Sequence, residues 1–329
     1  MNCVVIGGGG FIGQWLTRRL LDSGRSVVVL GRRPTAPQGL DARARYVAGD
    51  YGDPALASSL LAAADEVVDL AYATVPKSSF DDPVFDLNMN LQPAVNLLQA
   101  AVNKPHIRKL VLVSSGGTVY GHAVTTPIAE THPTDPVSPY GITKLAIEKY
   151  GLMFHRLYGV PVVVVRPGNA YGEGQAPFRG QGFVATAIAS MLEGRPLTVF
   201  GGDEVIRDYV HVDDIASAIV AALDRGEAGT CYNAGSGRGH STQEVLDLIE
   251  GHARHQRVET EVIYMPARPF DVKVNVLDCT RLQLASGWRA HIALADGVKR
   301  AWGCLSPVKC AADQGAPHAS PASTRGINH

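Results

Sequence analysis

Four consecutive glycines, Gly7 to Gly10, stand between a run of β-branched residues and a helical pattern. Glycine weakens a strand or helix interior by roughly 0.5–1 kcal/mol relative to alanine, so four together mark a place where backbone must turn tightly or come close to something. Cys3 to Ile6 reads as a short buried strand. From Phe11 the spacing turns helical, with Phe11, Ile12, Trp15, Leu16, Leu20 and Leu21 on one face and Arg18 and Arg19 opposite. Ser26 to Leu30 is a second apolar strand. Strand, glycine turn, helix and strand within about thirty residues make a βαβ unit. Its first turn is where the free amides of a helix N-terminus can face a pyrophosphate. Gly7, Gly10 and Gly13 give that turn a G-x-x-G-x-x-G spacing, which favours dinucleotide binding over a merely flexible turn.

The alternation continues. Arg45 to Ala48, Glu66 to Leu70, Lys109 to Val113 and Val160 to Val165 read as buried strands, with helical stretches at Pro54 to Ala64, Val84 to Asn103 and Pro139 to Tyr158. Such a pattern implies a parallel sheet covered on both faces. The fold class expected is α/β, a Rossmann-type doubly wound parallel sheet with a smaller C-terminal substrate lobe. The division expected is residues 1–167 for the dinucleotide-binding domain, with later segments returning to it, and 168–304 mainly for the substrate lobe. Residues 305–329, rich in Ala, Pro, Ser and Gly, read as a disordered tail. Within the second half, HVDDIASAIVAAL reads as a helix started by an Asp cap, and Ser241 with Glu244 as a capping box.

A net charge of −1 gives no electrostatic footprint for nucleic acid or an anionic membrane surface. No apolar run approaches the roughly 20 residues of a membrane span. The chain starts directly in a strand without a secretory pattern, so a cytoplasmic location is expected. The five cysteines (Cys3, Cys231, Cys279, Cys304, Cys310) lack metal-site spacing and read as free thiols of a reducing compartment. No metal is expected.

The second chemical motif is SPYGITKLAIEKYG, where Tyr140 and Lys144 are four apart and share a helix face. An ammonium near the phenol favours phenolate and is expected to lower its pKa from about 10 toward neutrality. A tyrosine so tuned serves as a general base on a sugar hydroxyl. The preceding strand ends in VSSGGTVYG, which adds hydroxyls at Ser114, Ser115 and Thr118.

With GGGGFIG, GDYGD, DLAYATVPKSSFDDP, SSGGTVYG, SPYGITK, RPGNAYG, VIRDYVHVDDIA and RPFDVKVNVLD in that order, the chain resembles the extended short-chain dehydrogenase/reductases of the nucleotide-sugar epimerase and dehydratase group. The resemblance implies that Gly7, Gly10, Phe11, Ile12 and Gly13 line the pyrophosphate turn and that Asp50 and Tyr51 sit at the adenine edge. It places Leu70, Ala71 and Tyr72 beside the cofactor and Asn90 against it. Tyr140 becomes the base and Lys144 the ribose anchor. Asn169 holds the sugar nucleotide, Val199 and Phe200 lie near its base, and Arg207 and Arg268 clamp its diphosphate. The competing reading of Arg207 is a surface ion pair with Asp208.

Three departures from the group's pattern bear on function. Gly116 takes the place of the usual catalytic hydroxyl residue, so Ser115, or else Thr118, must supply it. The loop has Gly116 and Gly117 where dehydratases carry an acidic pair, which disfavours expulsion of water. The second strand ends in Gly31, Arg32 and Arg33 without the acid that binds the adenosine ribose; the arginines leave NADP open beside NAD. The reaction expected is inversion at C4 of a nucleotide-linked hexose, a UDP-hexose or a UDP-N-acetylhexosamine, with NAD bound and recycled. The alternatives are an NADPH-dependent keto-sugar reductase and a non-catalytic dinucleotide sensor. The resemblance also implies a homodimer through Val84–Asn103 and Pro139–Tyr158, with Asn88, Asn90 and Lys144 facing the cofactor and Leu97, Leu98, Ile147 and Phe154 in the interface. Asn275, seven residues after Arg268, is expected to border the C2 substituent of the sugar and to admit N-acetyl groups.

Overall fold

The structure is a computed structural model and describes residues 1–256, 258, 260–268 and 271–306. The expected tail lies, from residue 307 onward, outside the described residues.

In chain order the strands are β1 (Asn2–Ile6), β2 (Ser26–Gly31), β3 (Arg45–Ala48), β4 (Glu66–Asp69), β5 (Lys109–Val113), β6 (Val162–Pro167), β7 (Asn169–Tyr171), β8 (Leu197–Phe200), β9 (Ile206–His211), β10 (Thr230–Ala234), β11 (Gly239–Ser241), β12 (Val262–Met265) and β13 (Val274–Asn275). The helices are α1 (Phe11–Asp22), α2 (Pro54–Leu61), α3 (Pro76–Asp81), α4 (Pro83–Ala101), α5 (Pro139–Tyr158), α6 (Phe183–Glu193), α7 (Val212–Arg225), α8 (Thr242–His255), α9 (Thr280–Ser286) and α10 (Leu294–Leu305).

Seven strands form an all-parallel sheet in the order β3-β2-β1-β4-β5-β6-β10. Both faces are covered, which is why strands such as Val162–Val165 are unbroken apolar runs without solvent exposure. Leu16 and Leu20 of α1 pack with Ile215 and Ile219 of α7 on one face. Leu61 of α2, Ala94 and Leu97 of α4, and Ile147 and Phe154 of α5 pack on the other. After residue 167 the chain therefore returns to the first sheet with α7 and β10. Strand order reverses between β1 and β4, so a crevice opens beyond their carboxyl ends, where Gly7 and Leu70 follow.

The smaller lobe joins β7, β9, β11 and β13 in one sheet and β8 with β12 in another. Val184 and Ile188 of α6, Val245 and Ile249 of α8, and Val298 and Trp302 of α10 close its core. Ser241 and Glu244 form the expected capping box on α8. The cap of α7 is a correction: His211, not an Asp, accepts from Asp213 N at 3.2 Å.

The interface residues expected on α4 and α5 are also corrected. Leu97, Leu98, Ile147 and Phe154 lie inside the core of a single chain, because α4 and α5 present those sides to the sheet. Asn88 is exposed rather than turned inward. The outward sides carry Val84, Phe85 and Leu87 on α4 and Ile142, Tyr150 and Leu157 on α5.

Candidate active site

The glycine turn is shaped by close backbone contact. Gly7 has φ +77°, and a Cβ there would lie 2.9 Å from Ala71 N. A Cβ on Gly13 would lie 2.5 Å from Gly8 Cα and 2.6 Å from Gly7 O, so α1 rests directly on the turn. Gly10 precedes α1, and no side chain caps that helix end. Its first amides thus face outward with the positive end of the helix dipole. Such a cradle fits a dinucleotide pyrophosphate. Phe11 is half-buried, and Ile12 lines the cavity that opens beyond the turn. Asp69, Leu70, Ala71 and Tyr72 form the opposite lip. Asp69 accepts from Ala71 N at 3.0 Å and from the Tyr51 hydroxyl at 3.3 Å. Burial pushes the Asp69 carboxyl up to about 6, against the pull of Lys144.

The cavity has a volume of about 650 Å³ and runs from this lip to the smaller lobe. Tyr140 and Lys144 enter it from the first turns of α5. Pro139 starts that helix, and the Ser138 hydroxyl caps it by accepting from Gly141 N at 3.1 Å. The Lys144 ammonium donates to Val113 O at 2.8 Å and stands 4.1 Å from the centroid of the Tyr72 ring and 5.9 Å from that of Tyr140. Burial lowers the Lys144 pKa to about 8, opposed by Asp69, Glu148 and Asp86. The expected lowering of the Tyr140 pKa is a correction: burial and then Asp86 raise it, and the hydrogen bond with Ser115 pulls only partly the other way. Lys144 faces Tyr72 more closely than it faces Tyr140.

Ser115 and Thr118 both line the cavity. Ser115 is the one bonded to Tyr140, whereas Thr118 Oγ1 and Ser114 Oγ are buried without partners. At Gly116 a Cβ would meet Leu277 Cδ1 at 2.6 Å and Arg166 O at 2.9 Å, which explains the missing side chain. Asn169, on β7, lines the cavity beside Gly117.

At the other end stand Phe200, Arg207 and Arg268. Arg268 makes two 2.8 Å bonds to Asp271, and its guanidinium lies 5.0 Å from the Phe200 ring. Arg207 donates to Val272 O at 2.5 Å and stands 3.9 Å from Asp271. Its pairing with Asp208 does not occur, since Asp208 is buried and accepts from the amides of Ser236, Gly237 and Leu277. Asp271 is a residue that reading the sequence missed; its place three after Arg268 was the available signal.

Other expected contacts lie elsewhere. Val199 is in the core of the smaller lobe rather than at the cavity, because alternate residues of β8 face opposite ways. Asn90 is occupied by the loop after β4: it accepts from Ala73 N at 2.7 Å and donates to Asp86 O at 2.6 Å. Asn275 is buried, donates to Gly116 O at 3.0 Å, and does not line the cavity. Its short side chain ends at that carbonyl. Asp50 is exposed and accepts from Gly52 N, and Arg32 and Arg33 are exposed at the end of β2. Two buried carboxyls near Lys144, Asp69 and Asp86, were not anticipated.

A family model described as the NAD dependent epimerase/dehydratase family matches residues 3–235. The chain belongs to that family. The UDP-glucose 4-epimerase of Mycolicibacterium smegmatis is 36% identical over 307 residues, which cover 91% of this chain and 97% of that protein. The Thermus thermophilus UDP-glucose 4-epimerase, solved in complex with NAD, superposes with a TM-score of 0.85 at 33% identity and covers 94% of this chain and 100% of its own. The Thermotoga maritima UDP-glucose 4-epimerase, solved with UDP-glucose, gives a TM-score of 0.86 at 30% identity, with coverage of 93% and 98%. In this member of the family the cavity lies beyond the carboxyl ends of the parallel strands, where Ile12, Leu70 and Ser114 line it. Among the described residues, no helix is long and apolar enough to cross a membrane.

Proposed function

We propose that the chain is an NAD-dependent 4-epimerase of nucleotide sugars, acting on a UDP-hexose. The observation that carries this reading is one cavity lined by Ile12 next to the glycine turn, by the hydrogen-bonded Ser115 and Tyr140, by Lys144, and by two arginines at the far end. Gly7, Gly10 and Gly13 leave room for the pyrophosphate of the dinucleotide, with Ile12 and Leu70 beside it. Bound NAD supplies a carbon that accepts and returns hydride and, when oxidised, a positive charge that favours the Tyr140 phenolate.

Tyr140 takes the proton of the C4 hydroxyl and returns it after the sugar presents its other face. Ser115 orients the phenol and the C4 oxygen together. Lys144 adds positive charge and holds ribose hydroxyls with the donors that Val113 O leaves free. Arg207 and Arg268 hold the diphosphate, and Phe200 lies beside the nucleotide base. Binding at the phosphates lets the hexose turn without leaving, so no net oxidation results.

The test is incubation of the full chain with UDP-glucose, UDP-galactose or UDP-N-acetylgalactosamine without added cofactor. Appearance of the C4 epimer supports the reading. Turnover only with NADPH and a keto sugar identifies a reductase instead, and no turnover with bound NAD identifies a sensor. The N-acetyl sugar is included because Asn275 does not border the cavity and cannot decide its acceptance.

The assembly proposed is a homodimer that covers the outward sides of α4 and α5, where Val84 is 68% and Leu157 63% exposed. Light scattering at micromolar protein tests it, and a monomeric mass overturns it.

A further inference from the structure

Lys144 is buried, yet among the described residues it forms no ion pair. Its ammonium donates to Val113 O, and on another side it meets the face of Tyr72 at 4.1 Å. The Tyr72 ring also meets Tyr140, with centroids 4.7 Å apart and planes at 62°. Its hydroxyl donates to Tyr140 O at 3.3 Å and reaches the side chains of Thr143 and Asp86.

The loop that carries Tyr72 is tied to α4 on both sides of the next peptide. Ala73 N donates to Asn90, and the Thr74 hydroxyl donates to Asp86. Asn90 in turn holds Asp86 through its carbonyl and side chain. Backbone and side chain of this segment therefore have fixed positions beneath the first turn of α5.

We propose that Tyr72 is a positioning residue that holds the Lys144 ammonium on its ring face and braces Tyr140 with the same ring. The physical reason lies in what an aromatic face does that a carboxylate does not. A carboxylate would accept the ammonium's N–H groups and occupy them. A ring face attracts the charge electrostatically and leaves those donors for a ligand's hydroxyls. A flexible lysine stem also loses rotamer freedom when it is held, so a preset ammonium binds its ligand at lower entropic cost.

The inference rests on the proposed NAD-dependent reading, in which Lys144 serves the bound dinucleotide. The test is calorimetric titration of NAD into full-length protein stripped of copurified nucleotide, with melting curves for every variant. Tyr72→Leu is expected to weaken NAD about tenfold, and Tyr72→Phe, which keeps the ring, to stay within about twofold of the parent. In a Lys144→Met background, Tyr72→Leu is expected to have almost no further effect, because the partner of the ring is gone. Tyr72→Met carries the same comparison if Tyr72→Leu fails to fold.

Parent-like NAD affinity in both apolar variants overturns the inference. So does a loss in Tyr72→Phe equal to that in Tyr72→Leu, or additive losses in the Lys144→Met background. If the pattern holds while the parent protein epimerises no nucleotide sugar, the inference stands and the epimerase reading falls.

Discussion

Gly116 stands where the resemblance leads to the expectation of a hydroxyl residue, and the structure says what placing one there costs. A Cβ on Gly116 would approach Leu277 Cδ1 to 2.6 Å and Arg166 O to 2.9 Å. Leu277 cannot swing away, because it is fully buried among Val119, Tyr120 and Ile128. Arg166 O is backbone at the end of β6 and does not rotate. The loop itself must retreat, which strains the bond from Asn275 to Gly116 O. Overpacking costs about 1–3 kcal/mol and a lost buried hydrogen bond about 1 kcal/mol, so Gly116→Ser is expected to lose roughly 2–4 kcal/mol. At about 2 °C per kcal/mol for a chain of this size, its melting temperature falls by roughly 4–8 °C. Gly116→Ala is expected to fall equally, since the methylene and not the hydroxyl causes the clash. Differential scanning calorimetry measures both, and an epimerase assay follows. Parent-like melting of both variants, or faster turnover in Gly116→Ser, refutes the reasoning. Ser115→Ala is the contrasting variant, expected to melt like the parent and to lose turnover.

Three further outcomes are expected. Tyr140→Phe lowers kcat by about 10²–10⁴-fold with little change in bound NAD, measured by turnover and by nucleotide released on denaturation. The pH profile of kcat falls on the alkaline side above about pH 8, because Lys144 is charged only below its lowered pKa; a plateau extending well beyond that value contradicts the assignment. Asp69 has its folded pKa raised to about 6 from 3.8, so its contribution to stability is fully present below the lower value and is lost as pH rises through the higher. The difference of about 2 pKa units corresponds to about 3 kcal/mol in full, of which about 2 kcal/mol is lost between pH 4 and pH 7; Asp69→Asn removes that part from the pH dependence measured by urea unfolding at those two values.

The parallel strands were legible because burial on both faces leaves uninterrupted Val, Ile and Leu runs, as at Val162–Val165 and Lys109–Val113. The glycine turn was legible for a related reason. Gly13 is required by contacts with Gly7 and Gly8, and Gly7 takes a positive φ in the turn itself, so these constraints are written locally, although Gly7 also meets Ala71 from the loop after β4. The cap of α7 was not. His211 takes that position with its Nδ1 accepting from Asp213 N, while its Nε2 meets Glu173 at 2.7 Å. Glu173 belongs to a distant stretch of chain, and an Asp at the helix start looks the better cap until that pairing is seen.

The site shows the same division more sharply. Tyr140 and Lys144 share a helix, so their spacing reveals a common face but not what covers it. Tyr72 and Asp86 arrive from the loop after β4 and from α4, and the expected shift is reversed: burial and then Asp86 raise the phenol, while Tyr72 receives the ammonium more closely than Tyr140 does. Asn275 fails for the complementary reason. Counting seven residues on from Arg268 names the position, and the structure sets it opposite Arg207 in the pairing of β13 with β9. Its amide instead ends on Gly116 O in the loop after β5, and the residue does not line the cavity. Motif spacing fixes where a side chain starts; the depth of the wall in front of it decides what that side chain can touch.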